Sequence, residues 1–334
     1  MPAMPRPTLT DVARLAGVSR FSAGDILAGK EDRFRSETVQ AVRDAAKTMG
    51  YRPHGAGLAL RTGRTGFIGF VQDRYIYRTA LSADLLVAVE ARLSAKHLKL
   101  VYAALAEDTD APELLRHIVA DGFLINYHAA VPPALERATS GSRVPAVYLN
   151  IRRPAACVYH DEQAAAQALT HYCFRQWGSV GWVDRGPATA ADRRAEPHHS
   201  LADRLEGYST ACAAVGRLPL QFRTVYGSRT PPLVDQFIDL FRRSGRPRCL
   251  IIGDGTAASI HAHTAAARCG LRVPEDLALA SFGHALIDDL GWNMPMAIQR
   301  WDHLGQTAVD LLVGALDTHE AEVPAIAIPL DLHW

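Results

Sequence analysis

The stretch Thr8-Leu-Thr-Asp-Val-Ala-Arg-Leu-Ala-Gly-Val-Ser-Arg-Phe-Ser-Ala-Gly-Asp-Ile-Leu27 decides how the first part of this chain folds. Thr8 and Asp11 make a capping-box-like start: the Thr8 hydroxyl accepts from a backbone N–H three residues on, and Asp11 sits favourably near the helix N-terminus. Leu9, Val12, Ala13, Leu15 and Ala16 supply a small apolar face. Gly17 ends that helix, Val18 plugs the turn and Ser19 caps a second helix running through Leu27. Two short helices joined by Ala-Gly-Val-Ser are a helix-turn-helix signature.

Working outward, Val39, Val42, Ala46 and Met49 recur at three- and four-residue spacing and form the core face of a third helix. The glycines and proline of Pro53-His-Gly-Ala-Gly-Leu-Ala-Leu-Arg-Thr-Gly63 then read as a linker. Beyond residue 65 the pattern changes to apolar runs alternating with amphipathic stretches. Strands are expected at 67–71, 98–103, 123–125, 146–149, 180–183, 222–225, 249–252 and 277–281. Helices are expected at 82–96, 112–120, 162–177, 205–215, 233–243 and 256–269. Near-continuous apolar strands between helices indicate parallel sheets covered on both faces. So many βα units exceed what one doubly wound sheet needs, so the body divides into two lobes with a cleft at the strand C-termini.

The fold class is therefore α/β, with a small all-α helix-turn-helix domain ahead of a two-lobed domain of parallel sheets. The expected divisions are 1–52 for the first domain, 53–65 for a hinge or linker, and 66–334 for the body.

The net charge of +1 hides an asymmetry that bears on partners. Residues 1–66 hold 11 lysines and arginines against 6 acids, and the remainder 25 against 29. A basic module on a mildly acidic body suits a chain that presents one end to a polyanion. The five cysteines are odd in number, well separated and set in apolar runs, which reads as reduced core thiols rather than a disulfide framework. No run is long and apolar enough to span a bilayer and the start has no signal-like apolar segment, so a cytoplasmic location without membrane contact is expected.

Enzyme chemistry finds little support. Gly253-Asp-Gly255 lacks the third glycine of a dinucleotide loop. His198-His199 and His261-Ala-His263 lack the spacing of a metal site, and read as solvated or loop histidines. No nucleophile elbow or phosphate loop occurs, and no cofactor or metal is expected.

Thr8 through Ser19, then Ile26-Leu27, Thr38, Val42, Gly50-Tyr-Arg-Pro53 and Arg61-Thr-Gly-Arg-Thr-Gly66, stand at the spacing of the LacI/GalR regulators, which the chain resembles. Sparser anchors continue it: Asp121-Gly122, Val144-Pro145, Arg204-Leu-Glu-Gly-Tyr208 and Gly270-Leu-Arg-Val-Pro-Glu-Asp276. The resemblance implies a DNA-binding transcriptional regulator, a repressor in sense, with a periplasmic-binding-protein-like sensor. It also implies a homodimer on a palindromic double-stranded operator and a small-molecule effector, a sugar or related metabolite, between the lobes.

By motif position the DNA-binding residues are Thr8, Ser19, Arg20, Phe21, Ser22, Asp25 and Tyr51, with Leu60 and Arg61 in the hinge. Arg20 and Phe21 begin the helix that enters the major groove, where arginine reads guanine and phenylalanine packs on a thymine methyl. The alternative is that Arg20 meets only phosphate and Phe21 packs on its own domain. Leu60 matches a minor-groove wedge, against the alternative of an unstructured tether. The family's usual Thr-Val-Ser-Arg is here Ser22-Ala-Gly-Asp25, which implies an atypical operator.

For the effector, the resemblance and the strand ends together indicate Asp73, Asn126, Asn150, Arg204 and Asp254, with capping or solvated roles as the alternative. Tyr75, Tyr77, Trp292 and Trp301 are candidates for stacking on a ring or for packing. Where the family commonly has Gly-Phe-Asp-Asp, the chain has Ser281-Phe-Gly-His284, so a carboxylate that often grips sugar hydroxyls is absent. A solute receptor without DNA-linked function is the competing reading, disfavoured by the basic helix-turn-helix.

Overall fold

The computed structural model describes residues 7–51, 64–73, 81–105, 115, 120–127, 131–140, 144–186, 198–225, 231–285, 291, 294–318 and 323–334, the side chains of Asp73 and Arg185 aside. The chain forms two compact units, Met1–Gly66 and Phe67–Trp334.

In the first unit, α1 (Leu9–Leu15), α2 (Arg20–Leu27) and α3 (Ser36–Met49) enclose Val12, Ala13, Ala23, Ile26, Val39, Val42, Ala45 and Ala46. The capping box is complete: Asp11 N donates to Thr8 Oγ1 at 3.3 Å and Thr8 N donates to Asp11 Oδ2 at 2.9 Å. Gly17 takes φ +66, the left-handed turn that glycine accepts without strain, and Val18 folds against the core. Arg43 pairs with Glu31 across a short 3-10 turn, and Gly50 closes α3 in the left-handed conformation.

The second unit holds two six-stranded sheets. The first has strand order β11-β5-β4-β3-β1-β2, all parallel, from β1 (Phe67–Asp73), β2 (Lys99–Leu105), β3 (Gly122–Asn126), β4 (Ala146–Leu149), β5 (Cys157–His160) and β11 (Ala325–Ile328). The second, ordered β12-β10-β9-β8-β6-β7, uses β6 (Val180–Gly186), β7 (Gln221–Val225), β8 (Cys249–Ile252), β9 (Ala278–Gly283), β10 (Met296–Ile298) and β12 (Asp331–His333). Among the described residues only β12 runs antiparallel to its neighbour.

Both faces of each sheet are covered. On the first, α4 (Ala83–Ala95) and α10 (Trp301–Thr318) bury Ile68, Phe70, Leu124 and Val147, while α5 (Pro133–Ser140) lies over Val71, Phe123 and Ile125. On the second, α8 (Leu233–Phe241) and α9 (Thr256–Arg268) pack against Leu250, Ile252 and Leu279. The other face takes α6 (Glu162–Trp177) and α7 (His199–Ala214) over Trp182, Ile251 and Phe282. Here α6 and α7 approach so closely that a Cβ at Gly207 would lie 2.2 Å from Gln163 O.

The chain passes between sheets three times: at 160–162, at 299–301 and at 329–330. Each sheet reverses its winding once, between β1 and β3 and between β6 and β8. Those switch points are where open α/β sheets hold ligands. The five cysteines are free thiols, four of them buried. Among the described residues no helix is long and apolar enough to cross a membrane.

The sequence reading omitted α5, α10, β5, β10, β11 and β12. Most of the expected helix 112–120 lies outside the described residues.

Candidate functional site

The first unit offers the N-terminal turn of α2. Ser22 N donates to Ser19 Oγ at 3.0 Å, which fixes the start of the helix. Arg20 and Phe21 follow at once and both point to solvent, Phe21 with 73% of its surface exposed. A phenylalanine so exposed is not part of this unit's own core, so the alternative in which it packs on its own domain fails here. Thr8, Ser19 and Arg20 are also exposed, while Ser22 and Tyr51 are half-buried. Burial pushes the Tyr51 hydroxyl up, and the charge of nearby Arg20 opposes that.

Asp25 departs from expectation. It is only 6% exposed and so turns into the unit instead of standing toward a groove. Its neighbours on that arc of α2, Ala23 and Ile26, are core residues. A long arginine at such a position could extend its charged end out to water, whereas aspartate is too short to do so. Leu60 and Arg61 lie outside the described residues.

In the second unit, the polar groups gather around the crossings between sheets. Arg204 on α7 donates from Nε to Glu162 Oε2 at 2.7 Å and from Nη2 to Glu162 Oε1 at 3.0 Å. Its Nη1 donates to Gly253 O, just past β8, at 2.9 Å, and the guanidinium lies over the Phe282 ring at 4.4 Å. Gln299 Nε2, in the second crossing, donates to Glu162 Oε1 at 2.6 Å. Burial opposes charge on Glu162, yet the charge and hydrogen bonds of Arg204, with His160 and Gln299, hold its carboxyl below the usual range. The glutamate is therefore an anion, and it neutralises the arginine expected to reach the ligand.

The same cluster extends into the first lobe. His160 is buried and its pKa is lowered to about 4, chiefly by burial and against the pull of Glu162. As a neutral ring it donates from Nδ1 to Asn150 Oδ1 at 3.1 Å. The backbone of Arg300, at the second crossing, pulls its pKa the other way, upward. Trp301 packs edge-on against His160, with centroids 4.9 Å apart, and donates from Nε1 to His284 Nδ1 at 2.6 Å. Arg300 pairs with Asp302 and with Asp331 of β12, tying the second crossing to the strand after the third.

At the β1/β3 switch point, Asn126 donates from Nδ2 to Gln72 Oε1 at 3.2 Å, leaving its buried Oδ1 without a partner among the described residues. The expected effector residues thus divide. Asn150 and Arg204 join the cluster at the crossings, Asn126 sits at the β1/β3 switch point, and Asp254 lies in the turn after β8, at the β6/β8 switch point. Asp73 ends β1, and its side chain lies outside the description, as do Tyr75, Tyr77 and Trp292. At Gly283, where the family commonly carries aspartate, an added Cβ would lie 2.6 Å from Thr256 Oγ1 and 2.8 Å from Met296 Cε. The missing carboxylate is thus accompanied by neighbours that occupy its place.

Sequence reasoning missed Glu162, Gln299 and His160, and read the pair His198-His199 as solvated or loop histidines, whereas both make part-buried contacts. The histidines begin α7, and both rings reach Asn150 O of the other lobe, at 2.6 Å and 3.3 Å. An acid at the first position of a helix, directly behind a capping Asp161, looks like ordinary first-turn charge. Its partner lies 42 residues away.

This architecture can be set beside known proteins. A transcriptional regulator of the helix-turn-helix type, PtxS of Pseudomonas aeruginosa, is 24% identical over 99% of this chain and 96% of its own length. The ribose operon repressor of Escherichia coli K12 is 24% identical over 92% of each chain. The model of the periplasmic binding protein-like domain matches residues 185–334 of the chain. Its fold superimposes on the lac repressor dimer bound to operator and the anti-inducer ONPF with a TM-score of 0.76, covering 99% of this chain and 98% of that one at 19% identity.

Proposed function

We propose that the chain is a sequence-specific DNA-binding transcriptional regulator, a repressor, whose operator affinity is set by a small molecule held between the two lobes of its second unit. The observation that carries the DNA-binding half is the capped start of α2, which presents Arg20 and the exposed Phe21 side by side on a basic three-helix unit. Arginine reads guanine O6 and N7 through two hydrogen bonds, and phenylalanine packs on a thymine methyl. The similarity along nearly the whole chain to a helix-turn-helix transcriptional regulator and to a ribose operon repressor supports the same reading.

A homodimer on a palindromic operator goes with it, since helix-turn-helix proteins read two half-sites related by their own two-fold axis. Leu60 and Arg61 are assigned to the minor groove and the backbone beside it.

The sensor half rests on two lobes joined by three crossings, with polar side chains at the strand ends. Asn126 Oδ1 is a buried acceptor with no partner among the described residues. A ligand rich in hydroxyl donors, such as a sugar, suits it. Asp73, Asn126, Asn150, Arg204 and Asp254 are assigned to this site, Arg204 acting jointly with Glu162. For the effector to regulate, it must bind the two lobe arrangements unequally, and DNA must reciprocate.

The test is selection of genomic fragments by the purified protein, followed by footprinting with and without each sugar of a panel that raises its melting temperature. A protected, two-fold symmetric site released or tightened by a stabilising sugar supports the proposal. Failure to enrich any fragment would remove the DNA-binding half, and enrichment insensitive to every stabilising sugar would remove the sensor half.

A further inference from the structure

We infer that the groove between the C-terminal ends of α6 and α7 is a docking site for an acidic peptide segment of a partner protein, anchored by an apolar side chain. The groove holds about 350 Å³ and is lined by the apolar Phe174, Gly178 and Val215 and the basic His171, Arg175 and Arg217. Both helices start beside the cleft, at the capping residues Asp161 and His198, and end here. The groove is therefore separate from the effector site proposed above.

Its charge runs against the trend of the body. Residues 67–334 carry 25 lysines and arginines against 29 acids, yet the two stretches that build the groove, 163–183 and 207–234, contain no acid. Arg175 and Arg217 are exposed, and neither guanidinium has an acidic partner among the described residues. The carbonyl ends of two helices point to this side, each equivalent to about half a negative charge. Two guanidiniums outweigh that sum, so the rim stays positive.

The apolar half of the site is held out in water on a fixed turn. Between α7 and β7, Val215, Leu218 and Leu220 are 44%, 93% and 39% exposed. Leu220 N donates to the hydroxyl of buried Tyr208 at 2.9 Å, and Arg217 N donates to Cys212 O at 2.9 Å. A single exposed leucine is ordinary. Here it adjoins a cationic groove, and on α6 Tyr172 carries Trp334 stacked at 4.3 Å with half of the indole exposed. Aromatic rings and arginines on a pre-formed surface are the make-up of protein-binding hot spots, and a turn already fixed loses little freedom on binding.

A carboxylate takes two parallel hydrogen bonds from a guanidinium, and an apolar side chain fills the space over Phe174 and Val215. A nucleic-acid backbone would need a longer row of cations and would leave Leu218 and Val215 without a role.

The experiment selects phage-displayed random dodecapeptides on the full-length protein and measures the enriched peptides by fluorescence anisotropy. Arg175→Ala/Arg217→Ala and Leu218→Ser are the test variants, all at exposed positions that leave the fold intact. The enriched sequences should combine carboxylates with an apolar residue and bind each variant at least about tenfold more weakly, near 1.4 kcal/mol. Absence of any enriched group, or peptides that bind both variants as they bind the wild type, overturns the proposal. Weakening in the arginine variant alone would describe a site for any polyanion and overturns it too. So does a larger oligomer in sedimentation that Leu218→Ser disperses, which would assign the face to a second copy of the chain.

Discussion

Arg204 and Glu162 form a two-point ion pair between α7 and α6, at 2.7 Å and 3.0 Å, with the glutamate 1% exposed. A charge so placed is tolerable only while paired, because removing one partner leaves the other stranded away from water. Gln299 adds the second crossing to the pair, so the same bonds that neutralise the charges also hold the connections between the lobes.

Arg204→Ala is therefore expected to cost about 3–5 kcal/mol of stability, the usual penalty for breaking a buried pair. Chemical denaturation at pH 7 measures it. The Glu162 carboxyl titrates lower in the folded protein than its unfolded value of about 4.3, so its contribution is complete above that value and disappears as pH falls through the folded one. Glu162→Gln should flatten this acid limb. A loss under 1 kcal/mol in Arg204→Ala would show that the pair does not hold the fold.

His160 gives a second, separate pH signature. Its folded pKa of about 4 lies below the ordinary histidine value near 6.5. The unfolded chain takes up a proton first as pH falls, so stability declines from about pH 6.5 toward pH 4 by on the order of 3 kcal/mol. Denaturation midpoints across that range should show the slope in the wild type and lose it in His160→Gln. A slope that persists undiminished assigns the effect to another group.

Gly283→Asp restores the residue the family commonly has. With Thr256 Oγ1 and Met296 Cε both within 2.8 Å of the added Cβ, the substitution should destabilise by about 1–3 kcal/mol. A lowered melting temperature is the expected result. An unchanged or raised one would mean that the cleft still has room for the carboxylate.

How far the sequence was legible depended on how local each signal is. Helix α6 was read to its true ends because Asp161 caps one and Gly178 closes the other. Strands β5 and β11 escaped because they are four residues each, Cys-Val-Tyr-His and Ala-Ile-Ala-Ile, and β11 finds its partner β5 more than 160 positions back in the chain. Helix α10 was missed although Leu304, Ala308, Val309 and Leu312 carry a clear helical stripe. Asp25 was assigned to DNA by its place in the motif, which carries no information on its burial, and it is only 6% exposed.

The site divided in the same way. Asn150 and Arg204 were singled out by motif position, and both lie in the cluster at the crossings. Glu162, Gln299 and the Asn150 oxygen that receives both histidines become partners only once three crossings bring 150, 160–162, 198–204 and 299 together.

Loss of the α2 cap should separate folding from recognition. Ser19→Ala removes the acceptor for Ser22 N and is expected to cost the first unit about 1 kcal/mol. Circular dichroism melting of the full chain follows it, and operator affinity should fall by no more than that loss explains. A cost near zero would mean that water replaces the cap.

The central claim is that α2 reads DNA through Arg20 and Phe21. Fluorescence anisotropy with a fragment selected by the wild-type protein tests it directly, at fixed salt because phosphate contacts depend on it. Arg20→Ala and Phe21→Ala should each weaken binding by about 1–3 kcal/mol, relax the preference at separate base positions, and leave the melting temperature unchanged. Wild-type affinity and selectivity in both variants would contradict the account.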